Sequence, residues 1–231
     1  MKKANKKNIQ VDEGILHAVG HDIKQPLGLI RAYSYYIQKT IASSHPQLLP
    51  YTDKINIQVD VLTNMLQNLL EGIKIQNKKM ELTYTELSVS ELLNQVISEL
   101  TLQYPAIKIA RDFANQKAHI KADELYLSLA FKNVIENAIQ FSQTNTPVQV
   151  TSTAGAKTIS VLIKNSGSVV PKSDIPYVSN QFFKGGNAKD SLVKGLGLGL
   201  FVAEEIVNLH GGSITFRSTS SSTIVVITLP L

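Results

Sequence analysis

The sequence predicts an α+β protein in which an N-terminal antiparallel helical hairpin is followed by an α/β sandwich domain. Apolar residues recur at alternating spacings of three and four over residues 11–41 and 51–78, the pattern of amphipathic helices. After the polar stretch 77–79 the pattern changes to short strands between helices, and glycine-rich residues 195–199 open the last helix. We therefore expect two domains, residues 1–79 and 80–231.

The composition excludes several classes of protein. Hydrophobic residues make up 43% of the 231 residues and charged residues 18%, which is typical of a globular chain. Cysteine is absent, which excludes disulfides and thiolate metal sites and fits a reducing compartment. No apolar run approaches the roughly 18–20 residues of a membrane span, and no secretory signal is present. We therefore expect a cytoplasmic location.

The net charge of +5 includes four lysines among the first seven residues. No aromatic residues interleave with them and no groove-reading motif follows, so a solvated tail is favoured over a nucleic-acid or membrane contact. We expect no nucleic-acid partner.

The hairpin is predicted from two apolar stripes. The first helix, residues 11–41, carries a stripe with one polar member, Ser34, and the second, residues 51–78, carries an unbroken heptad stripe. The two stripes consist of Ile23, Leu27, Ile30, Ile37 and Ile41, and of Ile55, Val59, Leu62, Leu66, Leu69 and Ile73. One hairpin cannot cover both stripes, so we expect a homodimer that forms a four-helix bundle.

The second domain is predicted to contain short strands and three helices, with the helices on one face of a sheet. Ser90 and Asp123 are the predicted N-caps of the first two helices, and Gly211 and Gly212 end the third. The predicted helices cover residues 90–102, 123–141 and 195–210, and the predicted strands cover 82–89, 107–113, 119–122, 148–153, 159–165, 214–218 and 223–229.

His21 is the strongest candidate nucleophile. It lies two residues before Ile23, so at 100° per residue it points away from the apolar stripe, to solvent. Asp22 can accept a hydrogen bond from one ring nitrogen and leave the other free to attack. Gln25 shares the face of His21, where its amide can orient a water, and Pro26 predicts a bend in the helix. A surface histidine without function is the alternative.

Two polar motifs in the second domain indicate a nucleotide pocket. Asn133 and Asn137 are four residues apart on one helix face, and an amide oxygen is a suitable ligand for a partly hydrated Mg²⁺ that bridges phosphates. Asn165 and Gly167 follow at the end of a strand, where a side-chain oxygen can meet a base edge. The alternative for the asparagines is ordinary polar surface.

The glycines at the start of the last predicted helix are the third motif. Gly195, Gly197 and Gly199, followed by Leu200, let backbone N–H groups approach a phosphate at a helix N-terminus. The motif lacks the Gly-Lys-Ser/Thr of a Walker loop and has no strand directly before it. Tight packing is the alternative explanation for these glycines.

Together these motifs resemble a known family. Residues 21–27 resemble the phosphoacceptor box of bacterial sensor histidine kinases. From about residue 82 onward the chain resembles the ATP-binding domain shared by histidine kinases, gyrase-type topoisomerases, the Hsp90 chaperone and mismatch-repair ATPases. The matching motifs are the asparagine box 133–137 with Ser142, the glycine boxes 165–167 and 195–199, the lid residues Phe182, Phe183 and Lys184, and the closing turn 210–212.

The resemblance implies a role for each site residue. It implies phosphorylation of His21 with Asp22 as base, Mg²⁺ at Asn137, Asn133 beside the phosphates and Asn165 at the adenine amino group. It also implies that Gly167 lines the base and that the second glycine box wraps the phosphates. Lys184 stands where an arginine usually meets the terminal phosphate, and Phe183 and Leu200 belong to the same nucleotide-binding motifs.

Several positions depart from the family pattern. Gln25 replaces the usual Thr or Asn, which leaves phosphatase activity open. Asn165 replaces the adenine-binding acid, Val169 a glycine and Gln140 a lysine. In ATP-hydrolysing relatives a glutamate stands at the position of Asn133, and because an amide cannot take a proton, transfer to a nucleophile is favoured over hydrolysis.

The resemblance therefore implies a dimeric, ATP- and Mg²⁺-dependent histidine kinase of a two-component system. It implies transfer of phosphate from His21 to an aspartate on the receiver domain of a response regulator, with residues 166–194 as a lid over ATP. Two alternatives stay open: a degenerate kinase that acts as a dimeric regulator-binding or phosphatase module, and an ATPase that works as a clamp. Any membrane contact is expected through a sensor part outside this chain, so the chain is either a short kinase or the cytoplasmic core of a receptor.

Overall fold

The computed structural model describes residues 13–77, 80–113, 118–143, 145–167, 169–185 and 196–231, with the backbone alone for residues 13–20. The chain divides into two compact units, Met1–Lys79 and Met80–Leu231. Within the described ranges, none of the helices is both long enough and apolar enough to cross a bilayer.

The first unit is an antiparallel helical hairpin. Helix α1 spans Glu13–Ile41, a 3₁₀ turn spans Pro46–Leu48 and helix α2 spans Leu49–Gln76. Three side-chain hydrogen bonds set the register of the two helices: Arg31 to Asp60, Gln38 Nε2 to Asp53 Oδ1 at 2.9 Å, and Ser34 Oγ to the Thr52 carbonyl at 3.3 Å. Partners late on α1 are early on α2, as an antiparallel pair requires.

Helix α1 ends at Ile41 as predicted, whereas the start of α2 differs slightly from the prediction. Helix α2 begins at Leu49, two residues earlier than predicted, because Pro50 occupies its first turn instead of closing the loop. Residues 11, 12 and 78, at the predicted helix ends, lie outside the described residues.

Each apolar stripe is covered on one side only. Leu27, Val59 and Leu66 are buried. The exposed members of the two stripes have relative accessibilities of 41–51%, and they are Ile23, Ile30, Ile37, Ile55 and Leu62. A single hairpin therefore leaves an apolar face open to solvent.

In chain order the elements of the second unit are β1 Thr85–Ser88, α3 Val89–Gln103, β2 Ile109–Phe113, β3 His119–Ala122, α4 Glu124–Gln140, β4 Val148–Ala154, β5 Thr158–Ser166, a 3₁₀ turn Ile175–Tyr177, α5 Gly199–Leu209, β6 Ser213–Ser218 and β7 Ser222–Pro230. Five of the strands form a sheet with the order β2-β4-β5-β7-β6. Strands β2 and β4 are parallel, the other neighbours are antiparallel, and β1 pairs with β3 in a separate two-stranded ribbon.

The core of this unit lies between one face of the sheet and the helices. Buried and less buried residues alternate along β5 and β7, as expected when one sheet face is covered. The fully buried side chains include Phe131 on α4, Leu93 on α3 and Ile206 on α5. The predicted α+β class is confirmed.

Two predicted helix starts are wrong. The N-cap of α3 is Ser88, whose Oγ accepts a hydrogen bond from the Glu91 N–H at 3.3 Å, and Ser90 lies inside the helix. The strand before it begins at Thr85, since β3 offers four residues for pairing. Helix α5 begins at Gly199 because Gly197, with φ +70°, lies outside right-handed helical geometry.

Asp123 caps α4 as predicted and also connects it to two other segments. One carboxylate oxygen accepts from the Tyr126 N–H at 3.0 Å and the other from the Thr83 N–H at 2.7 Å. The backbone N–H of Asp123 donates to Nε2 of buried His210 at 3.0 Å. The His210 Nδ1–H donates to the Ile206 carbonyl at 2.7 Å, which assigns the tautomer and ties α4 to the end of α5.

We predict that Asp123→Ala lowers the free energy of unfolding by about 2–3 kcal/mol, because it removes the helix cap and leaves the Thr83 amide without its acceptor. Denaturant titration of the chain measures this change. Leu125→Ala, at a neighbouring position that is 74% exposed, is the matched control and should change stability by less than about 0.5 kcal/mol. Equal effects of the two substitutions would contradict the assigned role.

Glu205 on α5 is half-buried, and this burial, with a smaller contribution from the charge of Glu204, raises the pKa of its carboxyl. Because folding raises this pKa, the ionised carboxylate destabilises the folded protein at pH values above the raised pKa. At pH values below the pKa of the carboxyl in the unfolded chain, the group is protonated in both states and this destabilisation vanishes. We predict that Glu205→Gln raises Tm at pH 7 and leaves it unchanged near pH 3.5, measured by calorimetry. A stabilisation independent of pH would contradict this explanation.

Candidate functional site

The proposed acceptor histidine lies on the surface of α1. The side chains of His21 and Asp22 are 72% and 77% exposed, and Nδ1 of His21 is 3.5 Å from Oδ1 of Asp22. The predicted exposure of His21 is therefore observed. With Nδ1 facing the carboxylate, Nε2 is the ring nitrogen that is free to act as a nucleophile. Gln25, one turn further along, is also exposed.

Helix α4 carries both asparagines of the predicted metal motif. Asn133 is buried and Asn137, one turn later, is half-buried, whereas Gln140 at the helix end is exposed. Within the described ranges, no group of three or more acidic or histidine side chains is arranged to hold a metal. A Mg²⁺ ion at Asn137 would therefore take most of its ligands from phosphates and water, which is the coordination that Mg²⁺ prefers.

Asn165 and Gly167 contact the residues at the C-terminal end of α4. Asn165 is buried, and its Nδ2 donates a hydrogen bond to the Phe141 carbonyl at 3.2 Å. Gly167 forms a bridge with Ser142, and a Cβ at Gly167 would lie 2.1 Å from the same Phe141 oxygen. Only glycine allows this approach, so the first glycine box is held directly beside the helix that carries Asn133 and Asn137.

Gly197 and Gly199 connect the second glycine box to α4 and to the predicted lid. Gly197 has φ +70°, its carbonyl accepts from the Phe182 N–H at 2.9 Å, and a Cβ would lie 2.6 Å from the Phe183 oxygen. A Cβ on Gly199, the first residue of α5, would lie 3.6 Å from the Asn133 side chain. Gly197 thus allows one close backbone approach, to residues 182 and 183, while Gly199 lies beside Asn133 at an ordinary contact distance.

The remaining predicted residues flank this loop. Phe183 is half-buried and packs against Tyr177, with ring centroids 6.2 Å apart, and Lys184 is exposed. Leu200 is half-buried in the first turn of α5. Gly195 and residues 186–194 of the predicted lid lie outside the described residues.

Thr223 and Phe141 were missed by sequence reasoning. Thr223 lies directly opposite Asn165 on β7, is 8% exposed, and its Oγ1 has no hydrogen-bond partner in the part of the chain that the structure describes. The sequence signal that could have identified Thr223 is a polar residue at a position of β7 whose alternate neighbours face the core. Phe141 contributes only its backbone carbonyl, and a pattern of side chains in the sequence cannot predict the role of a backbone group.

We predict that Gly197→Ala lowers the free energy of unfolding by about 2 kcal/mol or more and weakens ATP binding, because the methyl group would collide with the lid backbone. Gly211→Ala is the control for backbone strain alone. Gly211 has the same φ of +70° but space for a Cβ, with Pro230 Cγ nearest at 3.8 Å, so its substitution should cost about 1 kcal/mol and leave ATP binding intact. Identical binding by both variants would show that the approach of Gly197 to the lid is irrelevant to the nucleotide.

Comparison with known families matches residues 122–231 to the histidine kinase-, DNA gyrase B-, and HSP90-like ATPases. The sensor protein VanS of Enterococcus faecium is 28% identical over 216 residues, which cover 92% of this chain and 55% of VanS. The sensor histidine kinase YvrG of Bacillus subtilis (strain 168) is 25% identical over 230 residues, 97% of this chain and 40% of YvrG. The chain thus spans about half the length of these curated relatives.

Solved structures of similar fold include full-length ShkA in complex with AMPPNP, with a TM-score of 0.72 and 19% identity, covering 95% of this chain and 46% of ShkA. The histidine kinase ThkA in complex with the response regulator protein TrrA has a TM-score of 0.61 and 20% identity, covering 94% of this chain and 61% of that chain. At these identities the likeness is one of fold.

Residues 122–231 match the family described as histidine kinase-, DNA gyrase B-, and HSP90-like ATPases, and the placement of the glycine and asparagine motifs around α4 agrees with that match. Together with the relatives named as sensor kinases, these findings support a bacterial sensor histidine kinase core built around that domain.

Proposed function

We propose that this chain is an ATP-dependent protein histidine kinase of a two-component system. It phosphorylates itself on His21 and passes the phosphoryl group to an aspartate on the receiver domain of a response regulator. The single observation that carries the proposal is an exposed histidine with a carboxylate 3.5 Å from its Nδ1, in the same chain as an ATP-binding domain. In this proposal residues 1–79 form the dimerisation and phosphotransfer domain and residues 80–231 the catalytic domain.

ATP is held, in this proposal, between the motifs that meet at α4. Asn165 accepts a hydrogen bond from the adenine amino group, Gly167 lies along the base, and Thr223 supplies a further buried hydroxyl. Backbone N–H groups of the second glycine box and the N-terminus of α5 receive the phosphates. Asn137 would hold Mg²⁺, which would neutralise phosphate charge when bound, and Lys184 would add a positive charge.

His21 attacks the γ-phosphorus through Nε2. A nitrogen–phosphorus bond forms, the bond from the γ-phosphorus to the bridging oxygen breaks, and ADP leaves with the electron pair. Asp22 holds the proton on Nδ1 and accepts it as positive charge develops on the ring. Asn133 offers no carboxylate to activate a water, which favours transfer to His21 over hydrolysis.

The exposed apolar face of the hairpin supports a homodimer. The stripe residues that one chain leaves exposed have relative accessibilities of 41–51%. A second hairpin packed on the same face would bury them.

The second candidate is a degenerate module that binds a regulator without phosphorylating it. The observation that favours it is the neutral Asn165 in place of the family's adenine-binding acid, together with Val169 and Gln140. Losing one charge-assisted hydrogen bond weakens binding about tenfold, so a kinase with reduced ATP affinity remains consistent with these residues.

We predict that incubation with γ-labelled ATP and Mg²⁺ gives a phosphoprotein whose label is lost in acid and kept in base, as expected for phosphohistidine. His21→Gln should abolish the label, because the nucleophile is removed. Asp22→Asn should slow labelling by about 100-fold, because the proton acceptor is lost. His45→Gln, at an exposed histidine in the loop between the helices, is the matched control and should label normally.

An acid-stable label, or equal labelling of the His21→Gln variant, would refute the assignment. Absence of label despite measurable ATP binding would favour the degenerate module. Sustained phosphate release without any phosphoprotein would indicate an ATPase instead.

A further inference from the structure

We propose that Tyr84 is a positioning residue for the phosphates of the nucleotide, and that it acts on them from the opposite end of α5. This role rests on the proposed function, because it concerns the loop that receives the phosphates of the same nucleotide. It also couples residues 80–84, which lie between α2 and β1 along the chain, to the occupancy of the nucleotide site.

Tyr84 holds the C-terminal end of α5. The last carbonyl groups of a helix have no partner within the helix. The hydroxyl of Tyr84 donates to one of them, the Leu209 carbonyl, at 2.9 Å, and its ring meets the ring of His210 edge-on, with the centroids 5.5 Å apart. Because half of Tyr84 is exposed to solvent, these contacts, and not burial in the core, define its place in the fold.

Tyr84 belongs to a closed set of contacts. Its neighbour Thr83 donates its N–H to the Asp123 carboxylate at 2.7 Å, and the Asp123 N–H donates to Nε2 of His210 at 3.0 Å. The His210 ring returns to Tyr84. Residues 83–84, the start of α4 and the end of α5 are thus joined pairwise, so a displacement of any one of them strains its contacts with the other two.

The two ends of α5 are held differently. The C-terminal end is fixed by Tyr84 and by Gly212, where a Cβ would lie only 2.4 Å from the Thr228 carbonyl. At the N-terminal end, a Cβ on Gly199 would make an ordinary contact of 3.6 Å with Asn133, and within the described residues no side chain caps the helix. A change at the fixed end is therefore expressed at the end beside the glycine box.

The length of α5 amplifies small changes at its fixed end. Its 11 residues span about 16 Å, so a tilt of about 4° around the C-terminal end moves the N-terminal end by about 1 Å. A shift of that size lengthens a hydrogen bond of about 2.9 Å beyond its normal range. In the proposed function the backbone N–H groups at this end receive the phosphates, so loss of the Tyr84 contact weakens nucleotide binding.

The coupling acts in both directions. If the contacts of Tyr84 favour nucleotide binding, bound nucleotide must stabilise those contacts by the same free energy. The Asp123 amide reports on them, since its acceptor is the His210 ring. We therefore expect MgADP to slow hydrogen exchange at the amides of Thr83 and Asp123, although Asp123 lies about 15 Å along α4 from Asn133.

The test is calorimetric titration of the full 231-residue chain with MgADP, which avoids turnover, together with amide hydrogen exchange measured by NMR with and without MgADP. Tyr84→Phe removes the hydroxyl and keeps the ring. Tyr104→Phe, which removes a hydroxyl at the end of α3, is the matched chemical control. Ser88→Ala, which removes the N-cap of α3, is the control for a loss of stability alone.

We expect Tyr84→Phe to weaken MgADP binding about three- to tenfold, the size of one lost hydrogen bond, and to remove most of the ADP-dependent protection at Thr83 and Asp123. Tyr104→Phe and Ser88→Ala should bind MgADP as the wild type does, although Ser88→Ala lowers Tm.

Unchanged affinity in Tyr84→Phe, an equal weakening in Ser88→Ala, wild-type amides of Thr83 and Asp123 that do not respond to MgADP, or no MgADP binding by the wild type would each overturn the inference. Labelling of His21 tests the proposed function separately. Tyr84-dependent ADP binding without labelled His21 would reject the kinase activity and leave the inference standing, whereas labelled His21 with unchanged ADP binding in Tyr84→Phe would reject the inference alone.

Discussion

The nucleotide-binding unit depends on the two ends of α4. At its start, Asp123 caps the helix through its carboxylate and donates its own N–H to His210, which joins α4 to α5. At its end, the Phe141 carbonyl receives the Asn165 amide. Asn133 and Asn137 lie between these anchors. The residues proposed to bind the base and the phosphates are therefore positioned relative to one helix.

Gly197 shows why one position of the second glycine box requires glycine. The backbone at Gly197 passes so close to Phe183 that a single methyl group would not fit, whereas a Cβ at Gly199 would make an ordinary contact with Asn133. The Phe182 N–H donates to the Gly197 carbonyl, so the backbones at residues 182–183 and 197 are held together. If the glycine box receives phosphate as proposed, a shift of residues 182–183 would move the backbone that receives it.

Local patterns were sufficient for most of the architecture. Heptad spacing predicted the hairpin, and the alternation of apolar residues predicted the strands of the sheet. Asp123 was predicted as a helix cap because a capping residue is recognised from the residues next to it in the sequence. The start of α5 at Gly199 was missed because it depends on a positive φ at Gly197, which contact with the lid enforces. The Asn165–Phe141 bond and the placement of Thr223 beside Asn165 join residues 24 or more positions apart in the chain, and such pairs leave no periodic signal.

Two buried amides give this site its chemical character. The resemblance places an acid at the position of Asn133 in ATP-hydrolysing relatives and the adenine-binding acid at the position of Asn165, and both amides are more than 90% buried. Ionised carboxylates there would be desolvated next to a polyanionic substrate, whereas amides offer acceptors without charge. In the proposed function, Asn133 cannot take the proton that hydrolysis requires, and Asn165 keeps an acceptor for the adenine amino group. The proposal therefore assigns the phosphoryl group to a nucleophile outside the pocket, the exposed His21.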